Sequence, residues 1–143
     1  MSSTETKRIA LAGIAGGLVL NAIDTPWSVF VMLPGMQAFE TAHGLSASAL
    51  TGPWFMLAHF AYMGGIAWLY ALLRERHGSG SRTALAAGGV LFVLNRLFGI
   101  GNGFLGVLPF GLFWGFTASF AVGTALGSLV CARILDVPVR RAA

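Results

Sequence analysis

Asp24, His59 and Arg96 are the side chains of this sequence that could do chemistry away from bulk water. Each is embedded in a long apolar stretch, and Asp24 and Arg96 are almost the only ionisable groups inside those stretches. Asn21, Asp24, Thr25 and Ser28 follow the i, i+3, i+4, i+7 spacing and share one helical face. Tyr62 lies one turn from His59, and Asn95 adjoins Arg96. A charge in hydrocarbon costs at least ~2.5–3.5 kcal/mol, so it should face the bundle interior and find a partner. Asp24 with Arg96 is the expected pair, and His59 could complete a triad. One reading is a polar cavity that binds a guest or relays protons. The other is a buried ion pair that only fixes helix register, since such pairs are weak evidence for stability. An arginine near a helix end can also snorkel to the interface. A lone histidine can simply hydrogen-bond within a bundle.

Other chemistry is poorly supported. His43, His59 and His77 fall at different depths and cannot ligate one metal, nor do they offer the facing histidines of a membrane haem. The run from Gly101 to Gly106 fits G-x-G-x-x-G, but it follows no strand and opens no βαβ unit. No nucleophile–base spacing and no paired catalytic carboxylates are present. Cys131 is the lone cysteine and cannot form an intrachain disulfide. No enzyme, metal or cofactor is expected.

The elements that must position these residues are membrane spans. The chain has 143 residues, 56% of them hydrophobic and only 10% charged, whereas a soluble domain carries roughly 25% charged residues. The expected fold is all-α, a single domain over 1–143 with four transmembrane helices in an antiparallel bundle. The spans are placed at about 9–33, 53–73, 83–104 and 108–135. In the long first loop, 34–52, Met36, Phe39 and Ala42 share a face and predict a short interfacial helix. The polar run from Arg74 to Arg82 and the glycine-rich stretch before Pro109 make the other connections.

Lys7, Arg8, Arg74, Arg76, Arg82, Arg133, Arg140 and Arg141 all fall on one side of such a bundle, so both termini are expected in the cytoplasm. Trp27, Trp54 and Trp114 would then mark the outer interface, and Trp68 and Tyr70 the inner one. Lys7 and Arg8 before an apolar run also resemble a signal peptide, but the run is too long and lacks a convincing cleavage site. The net charge of +4 is dispersed over helix ends with no stripe for nucleic acid. At about 1.5 Å per residue, Asp24 and Arg96 lie roughly 22 and 20 Å from the cytoplasmic ends of their spans. By the same rise His59 lies about 9 Å below an outer end, which puts all three in the outer half of the bilayer.

Gly111, Gly115, Ser119, Gly123 and Gly127 form a small residue at every fourth position of the fourth span, and Gly13 and Gly17 repeat the spacing in the first. Such stripes let helix backbones approach closely in lipid. One is expected to pack within the chain, with self-association left open.

The stretch from Trp68 to Ala84 resembles the central turn of a group of uncharacterised small four-helix proteins of the bacterial inner membrane. That turn reads W-L-Y-A, an Arg-x-Arg step, G-x-G, then a basic residue before Thr-Ala. Glu75 stands here where the group often has proline. The group's first helix also tends to carry an Asn and an acid, matched by Asn21 and Asp24. The resemblance implies the four-helix architecture and the membrane, and supplies no activity. Small multidrug-type transporters share four helices and an acid in the first, but not their other motifs, and the signature of eicosanoid-type four-helix enzymes is missing. The expected function is therefore structural or binding: an accessory subunit of a membrane complex, or a small lipid or hydrophobe binder. The alternative is a dimeric proton-coupled carrier in which Asp24 exchanges a proton for substrate.

Overall fold

A computed structural model describes residues 3–44, 53–104 and 109–137. Apart from short turns the described residues are helical, in α1 (Ser3–Trp27), a π-helical turn (Ser28–Met32), α2 (Leu33–Ala42), α3 (Pro53–His77), α4 (Ser81–Phe104) and α5 (Phe110–Asp136). Four of the resulting helices are long and apolar enough to cross a membrane: Ser3–Ala42, Met56–His77, Ser81–Ile100 and Phe110–Asp136. Residues 45–52 and 105–108, where the expected loop and tight connection fall, lie outside the described residues, as do Arg140 and Arg141.

The first span and the expected interfacial helix are not separate elements. They form one helical run of 40 residues, Ser3–Ala42. At about 1.5 Å per residue this is roughly 60 Å, twice a hydrocarbon core of about 30 Å. Pro26 sits inside α1, where it has no N–H to give the Ala22 carbonyl and must disturb the ladder. The disturbance is followed by the π turn, in which the Leu33 N–H bonds to the Ser28 carbonyl. Such turns absorb an extra residue without ending a helix.

The helix ends are tied together at one pole. Tyr70 Oη donates to the Asp136 carboxylate at 2.6–2.7 Å and accepts the Gly80 N–H at 3.0 Å. Arg74 donates to the Leu135 carbonyl at 2.7 Å and pairs with Glu5 at 3.4 Å. Arg8 donates to the carbonyls of Ile134, Leu135 and Val137 at 2.6–2.9 Å, filling acceptors that the end of α5 leaves open. The starts of α1 and α4 thus meet the ends of α3 and α5. The turn between α3 and α4 needs Gly78 at φ +82° and Gly80 at φ +125°, conformations that a side chain would strain. Tyr70 is wholly buried in this clasp, so it is no interfacial belt residue, whereas Trp68 and Trp114 are half exposed.

α1 packs on α3 and α5, and α4 packs on the same two helices from another side. The core holds Leu20, Met63, Ile66, Ala67, Ala87 and Phe120. The outside is apolar as well: Phe98 is 85% exposed and Phe30 78%. Contiguous exposed apolar surface on this scale suits lipid rather than water.

Candidate functional site

Small residues bring α1 and α5 close enough to share a polar centre. Cys131 Sγ lies 3.2 Å from the Ala12 carbonyl. One turn on, a Cβ at Gly127 would stand 3.0 Å from the Gly16 carbonyl oxygen. A further turn sets Gly123 against Leu20, and two turns beyond that Gly115 meets Trp27. Each four-residue step along α5 moves one turn back along α1, as antiparallel helices in close contact require. Between the Gly123 and Gly115 steps, Ser119 faces Asp24. Gly111 lies beyond this contact, with open space where its Cβ would be. Gly13 and Gly17 serve a different neighbour: a Cβ at Gly13 would come within 2.7 Å of Gly64 Cα on α3, and Gly17 lies under Phe60.

These two close approaches place Asp24 at the junction of α1, α3 and α5, wholly buried. Its Oδ1 accepts from Ser119 Oγ at 2.6 Å. Its Oδ2 lies 3.5 Å from Ser28 Oγ and 3.6 Å from His59 Nε2. Ser119, read from sequence as a packing residue, is therefore the closest partner of the acid. An acid and a serine on facing small-residue stripes are the signal that could have found it.

Hydrogen-bond accounting fixes more than distances. Asn21 Nδ2 donates to the Gly17 carbonyl at 2.9 Å and the Met56 carbonyl at 3.3 Å, which orients the amide. Asn21 Oδ1 is then the acceptor for His59 Nδ1 at 2.9 Å, so the proton of the neutral ring resides on Nδ1. Nε2 faces the carboxylate, and a bare nitrogen lone pair against a carboxylate would be repulsive. A proton on either partner would relieve that repulsion and leave the couple without net charge. Burial of both groups favours that state, because an isolated buried charge is costly.

Arg96 does not join this network, which corrects the expected pair. Its Nε and Nη2 bond to Asn95 Oδ1, its Nη1 lies 3.4 Å from Thr117 Oγ1, and its Cζ sits 4.8 Å over the rings of Phe116 and Phe120. Among the described residues the ion pairs are His59 with Asp24 and Arg74 with Glu5, and Arg96 makes none. Tyr62 stands between the two groups, its ring 5.0 Å from Phe120. Tyr62 Oη and Thr124 Oγ1 are both buried and are each other's polar neighbours. Of the six residues that the sequence groups together, Asn21, Asp24 and His59 form one network. Asn95 and Arg96 form another, and Tyr62 packs between them.

The sequence reading missed the clasp of Arg8, Tyr70, Arg74 and Asp136. Its visible signal was a tyrosine and an arginine one turn apart at the end of a span. Among the described residues, no group of three or more His, Cys, Asp or Glu side chains could hold a metal ion. No family model, curated protein or solved structure matches the chain.

Proposed function

We propose that this chain is a multi-pass integral protein of the bacterial inner membrane, non-enzymatic and of structural or binding type. In this reading both termini lie in the cytoplasm, the basic clasp lies at the inner face, and the Asn21–His59–Asp24–Ser119 network lies in the outer half of the bilayer. The observation that carries it is the closure of that network: Asp24 is wholly buried and its oxygens are engaged by the chain's own Ser119, Ser28 and His59. A carboxylate satisfied this way sets the register of three helices. The protein would act as an accessory subunit of a larger membrane complex or as a small lipid or hydrophobe binder, alone or as a homodimer.

Native mass spectrometry of the chain extracted mildly from its own membranes tests this. A defined larger partner selects the subunit branch, and the chain alone or paired with lipid selects the binder. Orientation is read by Ser79→Cys: labelling from the cytoplasmic side only is expected, and labelling from outside overturns the topology.

One observation favours a proton-coupled carrier as a second reading. A buried His–Asp couple with Nε2 3.6 Å from the carboxylate, placed between helices, is a group that could load and release a proton. Proteoliposomes with an imposed pH gradient discriminate. Dissipation by the wild type and not by Asp24→Asn makes the carrier the better reading. Equal leak through both leaves Asp24 structural.

A further inference from the structure

Arg96 carries a charge that no acid of this chain answers by contact. Its guanidinium has five N–H donors. Two go to Asn95 Oδ1, from Nε and Nη2, and one from Nη1 goes to Thr117 Oγ1. One N–H on each Nη nitrogen is left over, and two N–H donors are what a bidentate carboxylate takes. Asn95 is exposed, and its side-chain hydrogen bonds to described residues run through Oδ1, so its Nδ2 donors stay open. The chain holds five acids. Asp24 and Glu40 are buried, and Glu5, Glu75 and Asp136 lie at the clasp pole, at the other end of α4. A second copy therefore has no free carboxylate to bring to Arg96.

α4 is the least covered of the four spans: 22% of its most apolar stretch is buried, against 33–44% for the others. Beside Arg96 it exposes Val93, Leu97 and Phe98. It runs eight residues past Arg96 to Phe104, or ~12 Å of rise. On the membrane reading the guanidinium thus stands inside the hydrocarbon, where a charge needs a partner at its own depth.

The seam between α4 and α5 continues from this point in antiparallel register. Thr117 meets Arg96, and a cleft opens further along, lined by Leu85, Gly89 and Phe92 of α4 and by Ala121, Thr124 and Ala125 of α5. The cleft stops short of Arg96. It holds about 120 Å³, near the ~150 Å³ in which an engineered cavity admits benzene, so it suits one apolar side chain. A Cβ at Gly89 would meet open space, which lets another helix approach closely. Gly89 and Arg96 are two turns apart on one face of α4. A helix laid along the seam meets both.

We propose that the α4–α5 seam docks a transmembrane helix of a second protein, one that sets an Asp or Glu on Arg96 and an apolar side chain two turns away in the cleft. The carboxylate bridges the open Nη donors and accepts from Asn95 Nδ2. Charge complementarity selects an acidic helix, and the five engaged or distant acids of this chain select a different protein over a second copy. The proposal rests on the accessory-subunit reading above and gives that partner a surface and a chemistry.

The probe is a Leu–Ala transmembrane peptide of about 24 residues with one Glu in its outer third, and its Gln twin is the control. Binding to the full chain in neutral detergent micelles is read by energy transfer to a dye on Ser79→Cys. The Glu peptide should bind about tenfold more tightly than the Gln peptide. Arg96→Gln should remove that difference, and Gly89→Leu should weaken both peptides by filling the cleft. Equal binding of the two peptides by the wild type overturns the proposal, as does a preference that survives Arg96→Gln. If Arg96→Gln does not fold, Glu-peptide binding unmoved by Gly89→Leu overturns it instead. Equimolar phosphatidylglycerol that displaces the Glu peptide, where phosphatidylcholine does not, assigns the charge to a lipid phosphate and overturns the helix. A larger partner recovered from native membranes equally with wild type and Arg96→Gln removes this seam and leaves the subunit reading standing.

Discussion

The choice of partner by Asp24 can be tested by two double-mutant cycles on one protein. The first combines Asp24→Asn with His59→Gln, and the second combines Asp24→Asn with Arg96→Gln. His59 Nε2 stands 3.6 Å from Asp24 Oδ2. At that separation and an effective dielectric constant of about 20, the Coulomb attraction of a charged pair is ~5 kcal/mol. Desolvation consumes most of that. Neutral interhelical hydrogen bonds in a membrane protein average ~0.6 kcal/mol by such cycles, with a maximum near ~1.7. A charge-assisted contact in a wholly buried site belongs at the upper end, so the Asp24–His59 coupling is expected at ~1–2 kcal/mol. Arg96 has no contact with Asp24, and its coupling should stay within the ~0.5 kcal/mol of independent sites. The assay is reversible unfolding of the purified protein in mixed micelles, titrated with SDS and followed by tryptophan fluorescence. A larger coupling to Arg96 than to His59 would refute the partner assignment, and additivity in both cycles would refute the claim that the couple holds three helices in register.

Gly127→Leu should destabilise the fold by ~1–3 kcal/mol through overpacking against Met63 and the Gly16 carbonyl. Gly111→Leu, which meets open space, should stay within ~0.5 kcal/mol in the same titration. Tyr70→Phe removes the donor to Asp136 and the acceptor for the Gly80 N–H. It should cost ~1.5–3 kcal/mol and raise hydrogen exchange at Gly80, and unchanged exchange there would count against the clasp. Cys131 is fully buried with its thiol on the Ala12 carbonyl. A membrane-permeant maleimide should therefore label it only after denaturation, and labelling of the native protein would show that α1 and α5 are not in close contact.

The four apolar helices were legible in the sequence because hydropathy and length constrain them together, and the polar turn at Arg74–Arg82 separates the second from the third. The outcome at α1 and α2 was less legible. The sequence reading ends the first span near Leu33 and starts a loop at Pro34, yet a π turn carries the chain through to Ala42. Proline removes a donor but does not dictate whether the ladder stops or shifts by one residue. The pairing of Asp24 failed for another reason. Rise per residue fixes the level of a side chain along its helix, and Asp24 and Arg96 do meet α5 two residues apart, at Ser119 and Thr117. Depth does not fix azimuth: α1 and α4 both pack on α3 and α5, so the acid points into that pair from one side while the arginine meets the Phe116–Phe120 face from another. Ser119 was ambiguous because a small residue in a stripe can serve as spacer or as donor.

Phe120 explains why two polar systems can coexist so near each other. Its ring lies 5.6 Å from His59 and 5.0 Å from Tyr62 on one side. On the other it lies 4.8 Å from the Arg96 guanidinium carbon and 5.7 Å from Phe116. Phe120 thus touches both the histidine of the acid's network and the guanidinium of Arg96. Its face is attractive to a cation, so it holds the arginine without neutralising it. Asp24 is accordingly met by Ser119 and His59, and Arg96 by Asn95 and Thr117. Phe120 on α5 thus borders both polar systems, the acid's network through His59 and the arginine through its ring face.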